Sequence, residues 1–210
     1  MARVLIVGAS RGIGLGLVDV HLEADWKIHA TTRDGSAPRH HPHVTAHQLD
    51  VRDGDQLVTL ISDLYEPVDR IIHNAGINRA SRSKLIEVNA VAPIRVVEAL
   101  LEAGRLNQDG TVAIMTSQMG SRWGRSGSLG KYGDSKAALN DEFRKRSSQW
   151  RDVGAIAIVM HPGWVKSDMG GQGASLTISE SVNGIIEVLD GLTADDHGKF
   201  LTWDGRVLPW

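Results

Sequence analysis

The feature that most constrains the fold is an alternation of short apolar runs with longer amphipathic stretches along the chain. Several of the apolar runs are rich in β-branched residues and almost continuously hydrophobic, as expected for strands buried on both faces of a sheet. The alternation predicts a parallel sheet covered by helices. The predicted strands are Val4–Val7, Trp26–Thr31, Val44–Leu49, Val68–His73, Thr111–Thr116, Ala155–Met160 and Lys199–Thr202.

The stretches between these strands have the periodicity of amphipathic helices. Val182, Ile185 and Leu189 lie at helical spacing, and Ser179 and Glu180 suit the start of that helix. The predicted helices are Gly12–Ala24, Asp53–Leu64, Lys84–Ala103, Tyr132–Trp150 and Ser179–Leu189. A length of 210 residues fits one domain. We therefore predict an α/β fold, a three-layer doubly wound Rossmann-type parallel sheet, as a single domain over residues 1–210.

Composition narrows the classes of function. The formal net charge of −2 gives no basic field that would attract nucleic acid or anionic lipid, so neither partner is expected. The absence of cysteine excludes disulfides and thiol catalysis, and it fits a reducing compartment. The apolar run at the start is too short for a signal peptide, and no run approaches the length of a membrane span. We expect a soluble, cytoplasmic protein.

A glycine-rich loop follows the first predicted strand directly. It reads Gly8-Ala9-Ser10-Arg11-Gly12-Ile13-Gly14, and a helix is predicted to begin within it. Glycines let the backbone turn sharply and approach a pyrophosphate, and the helix N-terminus adds free N–H groups and a partial positive charge. A glycine cluster alone fits a tight turn equally well. The strand–loop–helix context favours a dinucleotide site.

The end of the second strand bears on cofactor choice, because an acidic residue there binds the ribose 2′-hydroxyl of NAD. Thr32 and Arg33 occupy this place, and Asp34 comes one position late. Arg33 and Arg11 together would pair with a 2′-phosphate, although both arginines also fit a solvated surface. The sequence favours NADP(H) over NAD(H).

Tyr132 and Lys136 are four residues apart at the start of a predicted helix and share one face of it. A free tyrosine is a poor base at neutral pH, but a nearby ammonium stabilises the phenolate and lowers the tyrosine pKa. The pair predicts an acid–base group, and an exposed helical pair is the alternative.

Two further polar residues belong to the same hypothesis. Ser117 ends the fifth strand, where a hydroxyl stabilises charge on a substrate oxygen, although a serine capping a loop fits as well. Asn89 lies inside a predicted helix four residues before Pro93, which has no N–H to bond the Asn89 carbonyl. We expect a kinked helix whose free carbonyl holds a water in a proton relay; a purely structural kink is the alternative.

Taken together, these motifs resemble the short-chain dehydrogenase/reductase family over nearly the whole chain. The glycine loop is similar to the family's TGxxxGxG, with Val7 in place of the threonine. The resemblance places the catalytic tetrad at Asn89, Ser117, Tyr132 and Lys136. It places cofactor contacts at Gly8, Ser10, Arg11, Gly12, Ile13, Gly14, Arg33, Asp50, Val51, Asn74, Ala75, Gly76, Tyr132, Lys136, Pro162, Gly163, Val165 and Ser167. The segments 162–171 and 204–210 resemble those of the small carbonyl-reductase and C-factor branch.

The resemblance implies an NADP(H)-dependent oxidoreductase that interconverts a carbonyl and an alcohol by hydride transfer. Tyr132 would transfer the proton, Lys136 would lower its pKa and bind the nicotinamide ribose, and Ser117 would orient the substrate. The residues 119–129, with Trp123, and 164–176 are expected to wall the substrate site. A homodimer or homotetramer packed through the helices 84–103 and 132–150 is implied. A non-catalytic NADP-binding sensor on the same fold is the alternative.

Two features stand outside this pattern. Only 14 residues separate Asn74 from Asn89, so a segment that usually carries an extra helix is short, which either opens the site or changes subunit contacts. The histidines His40, His41, His43 and His47 invite a metal interpretation, but they lie far from the predicted site. No metal is expected.

Overall fold

The computed structural model describes residues 1–124 and 126–210. The described residues form a seven-stranded, all-parallel sheet in the order β3-β2-β1-β4-β5-β6-β7. This order and the helices on both faces confirm the doubly wound α/β fold. The strands are β1 (Arg3–Val7), β2 (Lys27–Thr32), β3 (Val44–Gln48), β4 (Val68–His73), β5 (Leu106–Met115), β6 (Ile156–His161) and β7 (Phe200–Thr202).

The helices alternate with the strands as the periodicity predicts. They are α1 (Gly12–Glu23), α2 (Gly54–Asp63), α3 (Arg82–Ile86), α4 (Ala92–Glu102), α5 (Gly130–Asp152) and α6 (Ile178–Asp190). Within residues 1–124 and 126–210, none of these helices is both long and apolar enough to cross a membrane.

The sheet separates two hydrophobic cores. Alternate residues of β1 enter opposite cores, with Val4 and Ile6 on one face and Leu5 and Val7 on the other. The first core includes side chains of α1 and α6, and the second includes those of α2, α4 and α5. The strand order reverses between β1 and β4, and a crevice at the carboxyl ends of the strands is the usual ligand site of such a sheet.

The stretch predicted as one helix over Lys84–Ala103 begins earlier in the structure and contains a π-helical turn. Ser81 caps α3 by accepting a hydrogen bond from the Lys84 N–H, so the helix begins at Arg82. A π-helical turn at Glu87–Val91 then joins α3 to α4, and Ala92 N–H bonds the Glu87 carbonyl five residues back. Pro93 donates no hydrogen bond, which fits a widened turn just before it.

Other boundaries differ from the sequence prediction by a few residues, and the reasons are local. β5 begins at Leu106 rather than Thr111, because a polar stretch with an irregular register against β4 continues the strand. α5 begins at Gly130 rather than Tyr132. α6 begins at Ile178, since Thr177 and Glu180 form a capping box, so the predicted start at Ser179 was one residue late.

Candidate active site

The glycine loop forms a close-fitting cradle between β1 and α1. Gly8 has a φ of +86°, and a Cβ there would lie 2.8 Å from the backbone of Ala75. A Cβ at Gly14 would lie 2.0 Å from the Gly8 carbonyl oxygen. Asn74 Nδ2 donates to that same carbonyl at 2.8 Å, so the turn after β4 holds the loop. These glycines bring the backbone and the N-terminus of α1 to the crevice, as binding of a pyrophosphate requires.

A cleft of about 730 Å³ opens above this cradle at the β1–β4 switch point. Most of the predicted cofactor residues line it, together with Tyr132 and Lys136, two of the four predicted catalytic residues. The predicted residues along its walls are Gly8, Ser10, Arg11, Gly12, Ile13, Arg33, Asp50, Val51, Asn74, Ala75, Gly76, Tyr132, Lys136, Pro162 and Ser167.

Sequence reasoning missed several side chains of the cleft, most of them in loops. Thr31 was missed although its Oγ1 accepts a hydrogen bond from Gly8 N–H at 3.1 Å. Several missed residues adjoin a predicted one and had that signal: Thr32, Leu49, Arg52, Val88 and Thr116. Arg79 and Lys84 had none, because their place in the cleft depends on the path of the chain after β4. Lys166, Asp168, Met169 and Gln172 also line the cleft, and they belong to the segment 164–176 that the sequence predicted as a substrate wall.

Five predicted residues lie outside the cleft walls. Asn89 and Ser117, the other two predicted catalytic residues, are buried, and Gly14 packs against the Gly8 carbonyl. Val165 is buried and forms a parallel bridge with Leu176. Gly163 has a φ of +86°, and a Cβ there would lie 2.3 Å from Leu176 Cδ1. Gly163 and Val165 thus shape the segment 164–176, and whether either contacts a cofactor stays a prediction.

The end of β2 presents a cation rather than a carboxylate to the cleft. Arg33 lines the cleft, whereas Asp34 accepts hydrogen bonds from the Ser36 N–H and hydroxyl. Asp50, which also lines the cleft, forms a two-point ion pair with Arg52 at 2.7 and 3.0 Å. The Arg52 hydrogen bonds lower the pKa of Asp50 to about 2. Asp50 therefore carries its charge at neutral pH, and Arg52 compensates it.

Asn89 serves the site through its side chain. Its Oδ1 accepts from the Ile77 N–H at 2.9 Å, and its Nδ2 donates to the Ile77 carbonyl at 2.7 Å. Nδ2 also donates to Ser135 Oγ at 3.0 Å. The asparagine therefore fixes the turn after β4 to α5. The sequence assigned Asn89 a role through its backbone carbonyl, and that role stays a prediction.

Lys136 lies on α5 at the floor of the cleft, with 4% of its surface exposed. Its ammonium donates a 2.8 Å hydrogen bond to the Met115 carbonyl at the end of β5. A Cβ on Gly76 would lie 3.6 Å from Nζ and 3.2 Å from Asn89 Oδ1, so these groups form one cluster. Burial lowers the pKa of Lys136 to about 8.

Tyr132 shares the helix with Lys136 and lies beside Ser117. Burial raises the pKa of Tyr132 to about 12, and hydrogen bonding from Ser117 opposes this rise in part. The Lys136 ammonium, on the same helix, is hydrogen-bonded to the Met115 carbonyl, and its action on the Tyr132 pKa stays a prediction. We call Asn89, Ser117, Tyr132 and Lys136 the catalytic corner; the structure brings them together around the end of β5 and the start of α5.

The segment 164–176 contacts both the glycine loop and the connection after β4. Arg11 Nη1 lies 2.6 Å from Asp168 Oδ2, and Asn78 Nδ2 donates to the Met169 carbonyl at 3.0 Å. The short connection between β4 and α3 thus reaches the segment 164–176. We call Arg11, Arg33 and Asp168 the cleft mouth.

Both predicted substrate walls carry large apolar side chains that are exposed to solvent. Trp123 and Trp164 expose 72% and 57% of their surfaces, and Met119 is also exposed. Trp164 Nε1 donates to the Gly170 carbonyl at 2.9 Å, which fixes its ring on its own segment. Arg125, within the predicted wall 119–129, lies outside the described residues. Contact of either tryptophan with a substrate stays a prediction.

The histidines before and within β3 do not form one cluster. His41 and His43 meet edge to face, with ring centroids 5.1 Å apart. His47 is buried in β3, where its Nε2 lies 3.0 Å from Nδ1 of His29 on β2. In the part of the chain that the structure describes, no group of three or more potential metal ligands is found.

Comparisons with known proteins agree with this geometry. Residues 2–175 match the family described as short chain dehydrogenase. The C-signal of Myxococcus xanthus is 37% identical over 155 residues, which cover 69% of this chain and 93% of that protein.

Two solved structures superpose on the whole chain. A short-chain dehydrogenase/reductase from Burkholderia multivorans with bound NADP has a TM-score of 0.87 at 31% identity, and 99% of it is covered. The NADPH-bound carbonyl reductase from chicken fatty liver has a TM-score of 0.85 at 31% identity, and 94% of it is covered. The chain belongs to the short-chain dehydrogenase family and is an oxidoreductase of its carbonyl-reductase-like branch.

Proposed function

We propose that this chain is an NADP(H)-dependent carbonyl reductase with Tyr132 as its acid–base group. The observation that carries the proposal is the joining of two sites in one cleft. The glycine cradle and the pair Tyr132 and Lys136 line the same cleft. The two structural neighbours that contain NADP or NADPH support the choice of cofactor. When bound, the cofactor would supply the hydride, and the protein supplies position and electrostatics.

The residues present fit such a dinucleotide. Gly8 and Gly14 let the loop pack closely against backbone, which a Cβ at either position would prevent, and the N-terminus of α1 would face a pyrophosphate. Lys136, at the floor, would bind the nicotinamide ribose. Arg33 would meet a 2′-phosphate, since Asp34 is engaged by Ser36 and offers no competing carboxylate in the cleft. A preference for NADP(H) over NAD(H) follows.

The protonation of Tyr132 suits it to act as the acid in reduction of a carbonyl. With a pKa raised to about 12, the phenol keeps its proton at neutral pH and is ready to donate it to the oxygen of a carbonyl being reduced. Ser117 lies beside the phenol and would hold the same oxygen. The charge of Lys136 favours donation of this proton, because an ammonium stabilises the phenolate left behind.

Replacement of Tyr132 by phenylalanine tests the proposal. The ring stays, so folding and NADPH binding should persist, whereas turnover of an accepted aldehyde, ketone or quinone should fall at least about 100-fold. NADPH absorbance reports turnover, and fluorescence titration reports binding. Tyr65→Phe is the matched control, because Tyr65 is exposed and is not part of the cleft. Near-normal turnover in Tyr132→Phe would defeat the mechanism.

A non-catalytic NADP-binding sensor is the second candidate. The similarity to the C-signal of Myxococcus xanthus is the observation that favours it. The catalytic corner argues against it, because a sensor has no need of a buried ammonium and a half-buried phenol in the same cleft. A sensor would bind NADPH and show no turnover with any carbonyl in the screen.

We further propose a homodimer or homotetramer assembled through the helices of residues 84–103 and 132–150, since closed symmetric assemblies are common. Val91, in the π-helical turn, exposes 51% of its surface there. Light scattering that shows a monomer at micromolar concentration would overturn this. The cytoplasmic location stays a prediction.

A further inference from the structure

Arg11 and Asp168 form an ion pair across the cleft mouth. Arg11 precedes α1, and Asp168 follows β6, so the pair joins two separate loops with 2.6 Å between Nη1 and Oδ2. Both side chains expose 72% of their surface, and both line the cleft and a neighbouring cavity of about 160 Å³. The next contact along the segment, from Asn78 to the Met169 carbonyl, keeps Asp168 in place.

In this ion pair, Asp168 engages the Arg11 guanidinium, which is a group that would also bind the cofactor. A guanidinium binds a phosphate through the same N–H groups that bind a carboxylate, so Arg11 meets one anion at the expense of the other. Asp168 is also a negative charge on the cleft wall, and the neighbouring Ser167 lies against the glycine loop, where a Gly12 Cβ would be 3.8 Å from Ser167 Cβ.

We propose that Asp168 competes with the 2′-phosphate of NADP(H) for Arg11 and thereby reduces the preference for NADP(H) over NAD(H). The inference rests on the proposed function, because it needs a dinucleotide in the cleft. The size of the effect follows from exposure: exposed ion pairs of this kind alter an equilibrium by up to about fivefold. Salt screens such charges, so the effect is larger at low ionic strength.

Asp168→Asn tests this by removing the charge while preserving the shape of the side chain. Isothermal titration with NADPH, NADH and adenosine 2′,5′-bisphosphate should show tighter binding of the two 2′-phosphate ligands by about two- to fivefold. NADH affinity should stay as in the unmodified chain. Asp141→Asn is the matched control, because its exposed ion pair with Arg122 lies outside the cleft, and it should change none of the three affinities.

A double-mutant cycle with Arg11→Gln tests whether the effect of Asp168 on binding acts through Arg11. In the Arg11→Gln background, Asp168→Asn should give no specific gain for the 2′-phosphate ligands. Unchanged or weaker NADPH binding in Asp168→Asn overturns the inference, and so does an equal gain for NADH, which would place the competition at the shared pyrophosphate. These results leave the proposed function intact. Failure of the unmodified chain to bind NADPH would overturn the proposed function, and this inference with it.

Discussion

The catalytic corner and the cleft mouth lie at the same cleft and differ in how water reaches them. In the catalytic corner, Asn89 is fully buried and Lys136 nearly so, and each makes hydrogen bonds to backbone groups. In the cleft mouth, Arg11 and Asp168 stay mostly in solvent and meet only through an ion pair.

The difference shows which side chains of this protein contribute much to stability and catalysis and which contribute little. A buried polar group is costly to leave without its partner, and burial shifts its pKa far from the ordinary value, downward at Lys136 and upward at Tyr132. An exposed charge is screened and contributes little. We therefore expect substitutions in the catalytic corner to cause large losses of turnover. Substitutions in the cleft mouth should cause small changes in the preference for NADP(H) over NAD(H).

Lys136→Met gives the largest expected effect. It removes the buried ammonium while keeping the length of the side chain, so turnover should fall at least about 100-fold and NADPH binding should weaken about tenfold. In the unmodified chain, turnover should decline above about pH 8, because Lys136 loses its charge there. Steady-state rates and fluorescence titrations check both effects. Lys131→Met, at an exposed position five residues earlier, is the control, and equal losses in the two variants would break the comparison.

Asn89→Ala gives the next largest expected effect, which is a loss of folding stability. It leaves the Ile77 backbone groups and the Ser135 hydroxyl without their amide partner, and unsatisfied groups of this kind cost about 1–3 kcal/mol. Urea unfolding measures the loss. Asn183→Ala, at an exposed position on α6, should cost under about 0.5 kcal/mol. Equal costs would show that burial is not the deciding factor.

His73 extends the comparison to pH. This buried residue ends β4, and among the described residues neither of its ring nitrogens has a hydrogen-bond partner. Burial, with a smaller effect of Lys136, lowers the pKa of His73 from 6.5 to about 3. Between these values the unfolded chain takes up a proton that the folded chain does not, so stability falls as pH falls below about 6.5.

His73→Leu should remove this contribution. Between about pH 6 and pH 4, the unfolding free energy of the variant should fall less steeply, by about 1.4 kcal/mol per pH unit. Urea unfolding at several pH values gives the slope, which is independent of any repacking cost from the new side chain. Identical slopes for the two proteins would mean that His73 is protonated in the folded chain.

Arg33→Ala, in the cleft mouth, gives the smallest of these effects. The unmodified chain should bind NADPH at least about tenfold more tightly than NADH, or about 1.4 kcal/mol, and the variant should lose most of that difference. Titration of both cofactors measures it. Arg39→Ala is the control, since Arg39 pairs with Asp19 away from the cleft. Equal affinities of the unmodified chain for the two cofactors would contradict the role of Arg33.

The sequence by itself determined the fold class and the placement of the glycine loop, and it supplied the prediction of the four catalytic residues through the family resemblance. These follow from local patterns: apolar periodicity marks strands and helices, and Gly8 and Gly14 are needed wherever backbone approaches backbone. Parallel strands bring their carboxyl ends to one edge, so Ser117 and Asn74 had to lie near the same crevice.

Only the tertiary structure decided the partners of the polar side chains. Asn89 bonds Ile77 and Ser135, and Arg11 meets Asp168 from 157 positions away. No periodicity encodes such pairs, because they depend on the path of each loop after its strand ends. The raised pKa of Tyr132 has the same origin: desolvation is a property of the packed site, and a motif that places tyrosine four residues before lysine does not contain it.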